Sequence, residues 1–251
     1  MIGKNTIKWV HSLEMKKNRK REHLFVAEGP KVVGDLLAHY RPRAVFATVE
    51  WNGRASLPSY VTPETVSDDE LRRLSFLQHP QQVIAVLEMD DDVSISVSPE
   101  RLSLVLDGVQ DPGNLGTIIR IADWFGIDNI VCSPDTADAY NPKVVQATMG
   151  SLARVNVSYT PLLPFLTSLP ADMPIYGTLL DGSDIYASEL SSRGIIIMGN
   201  EGNGISKEVR ALVSKPLLIP NFRQGGDCAE SLNVAVATAI TCAEFCRRLN
   251  K

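Results

Sequence analysis

From Leu102 to the C-terminus, short apolar runs alternate with amphipathic stretches, and this alternation limits the fold more than any other feature of the chain. Runs near 103–107, 129–132, 155–158, 174–179, 194–199 and 216–220 each lead into a helical pattern or a loop. Strands in that rhythm build a mainly parallel sheet, because a parallel neighbour is reached only through a crossover and the crossover helices cover both faces. The expected class is α/β.

A shorter alternation comes first. Residues 5–18 read as a helix, HLFVAEG (His23 to Gly29) as a strand, and Pro30 opens a second helix. A strand over Ala44 to Val49 follows, then a helix with Ser67 as N-cap and Asp68, Asp69 and Glu70 in its first turn, then a strand over Gln82 to Met89. The stretch DDDVSISVSPE, Asp90 to Glu100, joins an acid run to serines and a proline and reads as a linker. The 251 residues thus divide into a small domain over 1–95 and a larger one over 96–251.

Charge is unevenly spread. The net charge is −4, yet the first 43 residues hold ten Lys/Arg against four Asp/Glu, including the run KKNRKR from Lys16 to Arg21. Such a segment on an acidic protein reads as a face for polyanions or as a solvated helix end. The N-terminus has no apolar run with a cleavage site, and nowhere do about eighteen apolar residues follow one another, so the expected location is cytoplasmic, without a membrane. Four cysteines form no C-x-x-C pair, and Cys242 and Cys246 lack further ligands nearby, which points to reduced thiols and no metal.

Three turns carry the chemistry. VLDGVQDPGNLGTIIRIADWFG, Val105 to Gly126, runs from strand through a Gly/Pro turn into a helix, but Gly108, Gly113 and Gly116 fit neither G-x-G-x-x-G nor a P-loop. Ile118, Ile121, Ala122 and Phe125 share one helical face and Arg120 points roughly opposite. Asn114 reads as a helix cap or a site residue, and Arg120 as a surface residue or an anion contact.

The second turn, IIIMGNEGNGISKEVRALV (Ile195 to Val213), sets three glycines around Glu201 ahead of a helix capped by Ser206. The third element, LLIPNFRQGGDCAESLNVAVATAITCAEFCRRL, ends a strand at Ile219 and Pro220 and enters a helix that is apolar or small nearly all round from Leu232 to Ala243, which predicts a buried helix. Asn233, placed in its first turn, needs a hydrogen-bond partner, since an unpaired buried amide costs about 1–3 kcal/mol. Ser231 is either its cap or part of the site. Polar groups beside glycines at three strand ends suit a small ligand at the carboxyl edge of a parallel sheet.

Taken together, LDGVQDPGNLGTIIRIADWFG, IIIMGNEGNGIS with LLIP, and ESLNVAVATAI resemble the three signature motifs of the SpoU (TrmH-like) branch of the SPOUT RNA methyltransferases, over about residues 101–249. LFVAEGPKVV resembles that family's L30e-like RNA-binding domain. The resemblance implies methyl transfer from S-adenosylmethionine to a ribose 2′-hydroxyl of structured RNA, either rRNA or tRNA, by a homodimer whose C-terminal trefoil knot forms the cofactor pocket. By motif position Asn114, Arg120, Glu201, Ser231 and Asn233 would form the reaction site. Thr178, Gly199, Ile219 and Leu232 would contact the cofactor. Arg154, in GSLARV, would lie on the RNA side, and Arg19, Lys20 and Arg21 would add phosphate contacts.

One departure from the family pattern is NFRQGGDCAE, Asn221 to Glu230, a few residues longer than in many relatives. It reads as a substrate-specific lid with Arg223 on RNA, or as a longer loop. Two other functions compete with the enzyme: a non-catalytic RNA-binding or ribosome-assembly factor of the same fold, which retention of the five motif residues opposes, and an NAD-dependent oxidoreductase, which lacks its fingerprint.

Overall fold

Two sheets form, each built where the hydrophobic pattern asks for one. The computed structural model describes residues 2–52, 59–90, 95, 97–223 and 229–249. Of the expected linker, residues 91–94 and 96 lie outside the described residues, as do 224–228 of the long loop, Cys228 among them. Two compact units divide the chain: Met1–Asp91 with Asp138–Ala153, and Asp92–Ala137 with Arg154–Lys251.

In the first unit the elements are α1 (Lys4–Ser12), α2 (Lys16–Glu22), β1 (Leu24–Glu28), α3 (Pro30–Leu36), β2 (Pro42–Ala47), α4 (Val49–Asn52), β3 (Glu64–Thr65), α5 (Asp68–Leu74) and β4 (Val83–Glu88). The sheet order is β1-β4-β2-β3, antiparallel at β1/β4 and β4/β2 and parallel at β2/β3. Every residue of β1 is buried, because α1 and α5 cover one face through Val10, Leu13, Leu71 and Leu74 while Phe25 meets Tyr40 and Tyr140 on the other. Ser67 caps α5 as expected, in a capping box with Glu70.

The expected helix over 5–18 is two helices. Leu13 is fully buried and ends α1, and the chain turns there. Carbonyls left over at a helix end need donors, and the Arg19 guanidinium supplies them, Nη1 donating to Leu13 O at 2.8 Å and Glu14 O at 2.6 Å.

The second unit holds β5 (Leu102–Asp107), α6 (Pro112–Trp124) and β6 (Asn129–Cys132). The chain next contributes α7 (Pro142–Thr148) and a 3-10 turn (Ser151–Ala153) to the first unit, then returns for β7 (Asn156–Tyr159), α8 (Leu162–Thr167), β8 (Ile175–Asp184), β9 (Gly194–Gly199), α9 (Lys207–Arg210), β10 (Lys215–Leu218) and α10 (Val234–Leu249). Six parallel strands run in the order β10-β8-β9-β5-β6-β7, the α/β class expected.

Val105, Val131, Ile195 and Ile197 pack with Leu162, Leu166 and Val209 of α8 and α9, while the alternate residues Leu104, Leu106, Ile196 and Met198 are buried as well. Each such side chain contributes about 1.5–3 kcal/mol by leaving water. Helices α6 and α10 lie side by side and in parallel, with Asn233 bonded to Asn114 at their N-terminal ends and Cys246 to Phe125 O at their C-terminal ends. The expectation that α10 is buried all round needs correcting: Val236 and Ala243 are exposed, so one stripe of the helix has no cover within the unit.

Candidate active site

Register brings the first two turns together. Strands β5 and β9 pair from Leu102↔Gly194 to Asp107↔Gly199, so the turns that follow them leave the sheet at one level. The strand order also reverses here, since β6 and β7 lie on one side of β5 and β8 to β10 on the other. Crevices at such switch points bind ligands in open parallel sheets.

Asn200 fastens the turns. Its Nδ2 donates to Gly108 O at 2.7 Å, and its Oδ1 accepts from Gly202 N and Asn203 N, each at 2.9 Å. Asn200 and Gly204 exchange both backbone bonds at 2.9 Å, and a Cβ at Gly199 would lie 2.3 Å from the Gly204 carbonyl carbon, so only glycine fits there. Asp107, 9% exposed, accepts from Ser206 N at 2.7 Å, and Ser133 Oγ accepts from Gly108 N at 2.9 Å.

None of Asn200, Asp107 and Ser133 is among the sequence candidates, although each is a polar residue at the end of an apolar strand, and that position is the signal. Asn200→Ala removes three side-chain hydrogen bonds next to Glu201 and is expected to cost about 1–3 kcal/mol and to slow turnover; Asn200→Asp, which keeps the two acceptor bonds, should fall between. Thermal melts beside single-turnover rates check this, and equal rates for alanine and wild type would dismiss it.

Glu201 sits at the tip of this hairpin. Asn114 Nδ2 donates to Glu201 Oε1 at 2.9 Å, and Asn233 Nδ2 donates to Asn114 Oδ1 at 2.9 Å. One residue from each of the three motifs thus stands in a single hydrogen-bonded chain. The backbone N–H groups of Gln110 and Asp111 approach Glu201 at 3.4 and 3.5 Å, where the N-terminal end of α6 favours a carboxylate.

Asn114 is not the cap of α6, which is Asp111, accepting from Asn114 N at 2.8 Å. Asn233 stands just before α10 rather than in its first turn, its Oδ1 accepting from Ala235 N at 3.0 Å and Val236 N at 3.3 Å, so it and not Ser231 caps the helix. Ser231 is exposed two residues ahead of it.

Arg120 lies six residues beyond Asn114 on α6, about 9 Å of helical rise. It is exposed and, among the described residues, pairs with no acceptor. Arg154 is also exposed, but its guanidinium rests on Asp123, with Nε donating to both carboxylate oxygens at 3.0 Å and Nη2 to Oδ2 at 2.8 Å.

The four residues expected at the cofactor stand on four different segments. Thr178 follows Gly177, the last rung of β8 with β9; Gly199 closes β9; Ile219 follows the last rung of β10; Leu232 precedes the cap of α10. Between the rungs Pro216↔Gly177 and Leu217↔Ser183, residues 178–182 drop out of the register, and Gly182 approaches the Leu217 backbone so closely that a Cβ would lie 2.5 Å from it.

Arg19 corrects the expected RNA contact: it is 1% exposed, holds the two carbonyls above and donates from Nη2 to Asp138 Oδ2 at 2.6 Å. A guanidinium inside the first unit cannot grip a phosphate. Lys20 and Arg21 are exposed on α2, Arg21 bonding Glu22 at 2.7 Å. Among the described residues no group of three or more His, Cys, Asp and Glu could hold a metal, and no helix is long and apolar enough to cross a membrane. Burial pushes the Cys242 thiol up to about 12, which keeps it protonated.

Fold and site define a parallel α/β protein whose polar turns meet at the switch point of the sheet. Comparison with known proteins then gives the family. The model of the SpoU rRNA Methylase family matches residues 101–243, and that of the MRM3-like substrate binding domain matches residues 4–85. The chain is 33% identical over 231 residues to the 23S rRNA (guanosine(2553)-2′-O)-methyltransferase of Bacillus subtilis, covering 91% of this chain and 90% of that one.

Two solved structures share the fold across almost the whole length. A putative RNA methyltransferase of the TrmH family from Porphyromonas gingivalis is 40% identical with a TM-score of 0.88, covering 99% of both chains. An AdoMet-bound rRNA methyltransferase from Sinorhizobium meliloti is 28% identical with a TM-score of 0.84, covering 99% of this chain and 97% of that one. The chain belongs to the SpoU rRNA methylase family, with an MRM3-like substrate-binding domain ahead of the methylase domain.

Proposed function

We propose that this SpoU-family methyltransferase transfers the methyl group of S-adenosylmethionine to a ribose 2′-hydroxyl of large-subunit ribosomal RNA. The hydrogen-bonded chain from Asn233 through Asn114 to Glu201 carries the reading, because it unites the three motifs at the carboxyl edge of β5 and β9. The relative named for 23S rRNA supports ribosomal RNA over tRNA as the substrate.

When bound, S-adenosylmethionine supplies an electrophilic methyl group on a sulfonium sulfur. Thr178, Gly199, Ile219 and Leu232 would hold it, and the chain fits such a ligand: residues 178–182 leave the ladder with β10, giving backbone donors and acceptors, and Ile219 and Leu232 are apolar. Arg120 offers N–H donors and no acceptor, so it is not the general base; its fork grips the phosphate beside the target ribose and stabilises the oxygen as negative charge develops on it. Glu201 fixes the Asn114 amide, and Asn114 fixes that of Asn233, so the polar wall facing the ribose is held in one orientation. Ser231 completes this wall. Alignment of the ribose oxygen is the main contribution such a wall makes.

The domain split of the chain at 95/96, a trefoil-knotted C-terminal segment, a homodimer and cytoplasmic residence complete the reading. Exposed Trp124 on α6 and Leu232 and Val236 at α10 support an apolar face for a second copy.

Lys20 and Arg21 position RNA through phosphates without reading its sequence. Lys20→Ala with Arg21→Ala should weaken RNA binding and reduce the slope of log affinity against log salt by roughly one to two; a slope equal to wild type would return both to ordinary surface. The function itself is tested by mapping 2′-O-methylation in total RNA from cells with and without the protein. Loss of methylation at a large-subunit rRNA nucleotide is expected, and an unchanged rRNA map overturns the reading.

A further inference from the structure

We propose that Arg154 is a positioning residue that keeps Arg120 unpaired by occupying Asp123. The inference rests on the reading of Arg120 as the residue that meets RNA phosphate. Asp123 lies three residues beyond Arg120 on α6, a spacing that puts two side chains about 5–6 Å apart at Cβ and readily forms an ion pair on an isolated helix. Arg120 nevertheless has no partner among the described residues, because the Asp123 carboxylate is turned to Arg154.

The geometry is that of a fork on a carboxylate: Nε reaches Oδ1 and Oδ2 at 3.0 Å and Nη2 reaches Oδ2 at 2.8 Å. A bidentate pair outcompetes the single contact that a helical neighbour offers, and the Asp123 side chain, 23% exposed, is already more enclosed than that of Arg154 at 49%.

Two effects on Arg120 follow. Its fork stays open for an anion, and the acidic charge one turn away is neutralised, so that it neither holds the guanidinium nor repels an approaching phosphate. Arg154 reaches α6 from the segment just after the 3-10 turn, so the device is assembled by tertiary structure. In this reading Arg154 serves the RNA through Arg120, with its Nε and Nη2 bonded to Asp123.

The test uses the full-length protein and four variants, Arg154→Ala, Asp123→Asn, Arg154→Ala/Asp123→Asn and Arg120→Ala. The substrate is large-subunit rRNA from cells lacking the protein, with S-adenosylmethionine as donor. Arg154→Ala is expected to lower kcat/KM about fivefold at low salt, with S-adenosylmethionine affinity unchanged and a smaller defect at high salt, because ion pairs at exposed sites are screened. Adding Asp123→Asn should restore kcat/KM to within about twofold of wild type, although both halves of the ion pair are then gone. A direct RNA contact or a purely structural clamp predicts the opposite, a double variant at least as impaired as Arg154→Ala.

Melting temperatures of the single and double variants separate rescue of the reaction from rescue of folding. If Arg154→Ala keeps full activity while Arg120→Ala is inactive, the positioning role is wrong and the catalytic reading stands. If Arg120→Ala itself retains turnover, the catalytic reading has failed first.

Discussion

Arg120→Ala is expected to bind S-adenosylmethionine as tightly as the wild type and to lose turnover by a factor of about 10²–10³, the size measured when one preorganised donor is removed from a developing oxyanion. Both halves follow from position. Arg120 is exposed on α6, whereas the residues assigned to the cofactor lie within β8, at the end of β9, just after β10 and ahead of α10. Arg120→Lys keeps the charge but loses the planar fork, so it should recover only part of the rate. Calorimetric titration with the cofactor, paired with single-turnover methylation, decides the matter. Lost cofactor affinity in Arg120→Ala, with the methyl-transfer step unaffected once the site is saturated, would place this arginine in the wrong half of the site.

The largest effect on stability belongs to the N-terminal basic run. Arg19→Ala removes a guanidinium that is 1% exposed and leaves the carboxylate of Asp138 and the carbonyls of Leu13 and Glu14 without it. Deleting one partner of a buried pair costs about 3–5 kcal/mol, because the remaining charge stays out of water. Lys20→Ala, one residue on and exposed, should change stability by less than about 0.5 kcal/mol. Urea denaturation of the two variants side by side makes the comparison, and an Arg19→Ala protein within about 1 kcal/mol of wild type would refute the structural role.

These two residues also indicate how far the chain can be read without coordinates. Within KKNRKR every basic residue is equivalent to a count of charge, and nothing local marks Arg19 as the one turned inward. The break between α1 and α2 was hidden for the same reason, since the buried Leu13 and the arginine that caps the helix end act together only in the folded unit. By contrast, the capping box at Ser67 and Glu70 lies within four residues and was plain. In the second unit the six apolar runs marked the parallel strands closely. The same signal overstated the burial of α10, because small and apolar residues all round a helix do not say which stripe finds a partner.

Period, cap chemistry and the order of three glycine-flanked motifs were determined by the sequence itself, because each is a property of residues close together along the chain. Period and caps were enough for the α/β class and the parallel sheet, and the resemblance of the three motifs pointed to the methyltransferase family. Tertiary structure alone decided which polar groups meet. Asn233 and Asn114 are 119 residues apart, and so are Arg19 and Asp138. The first pair became neighbours because α6 and α10 lie side by side, and the second because the segment after β6 belongs to the first unit. A hydrogen bond forms only within about 3 Å, so a partner's identity depends on the packing of whole elements, which no local pattern of residues encodes.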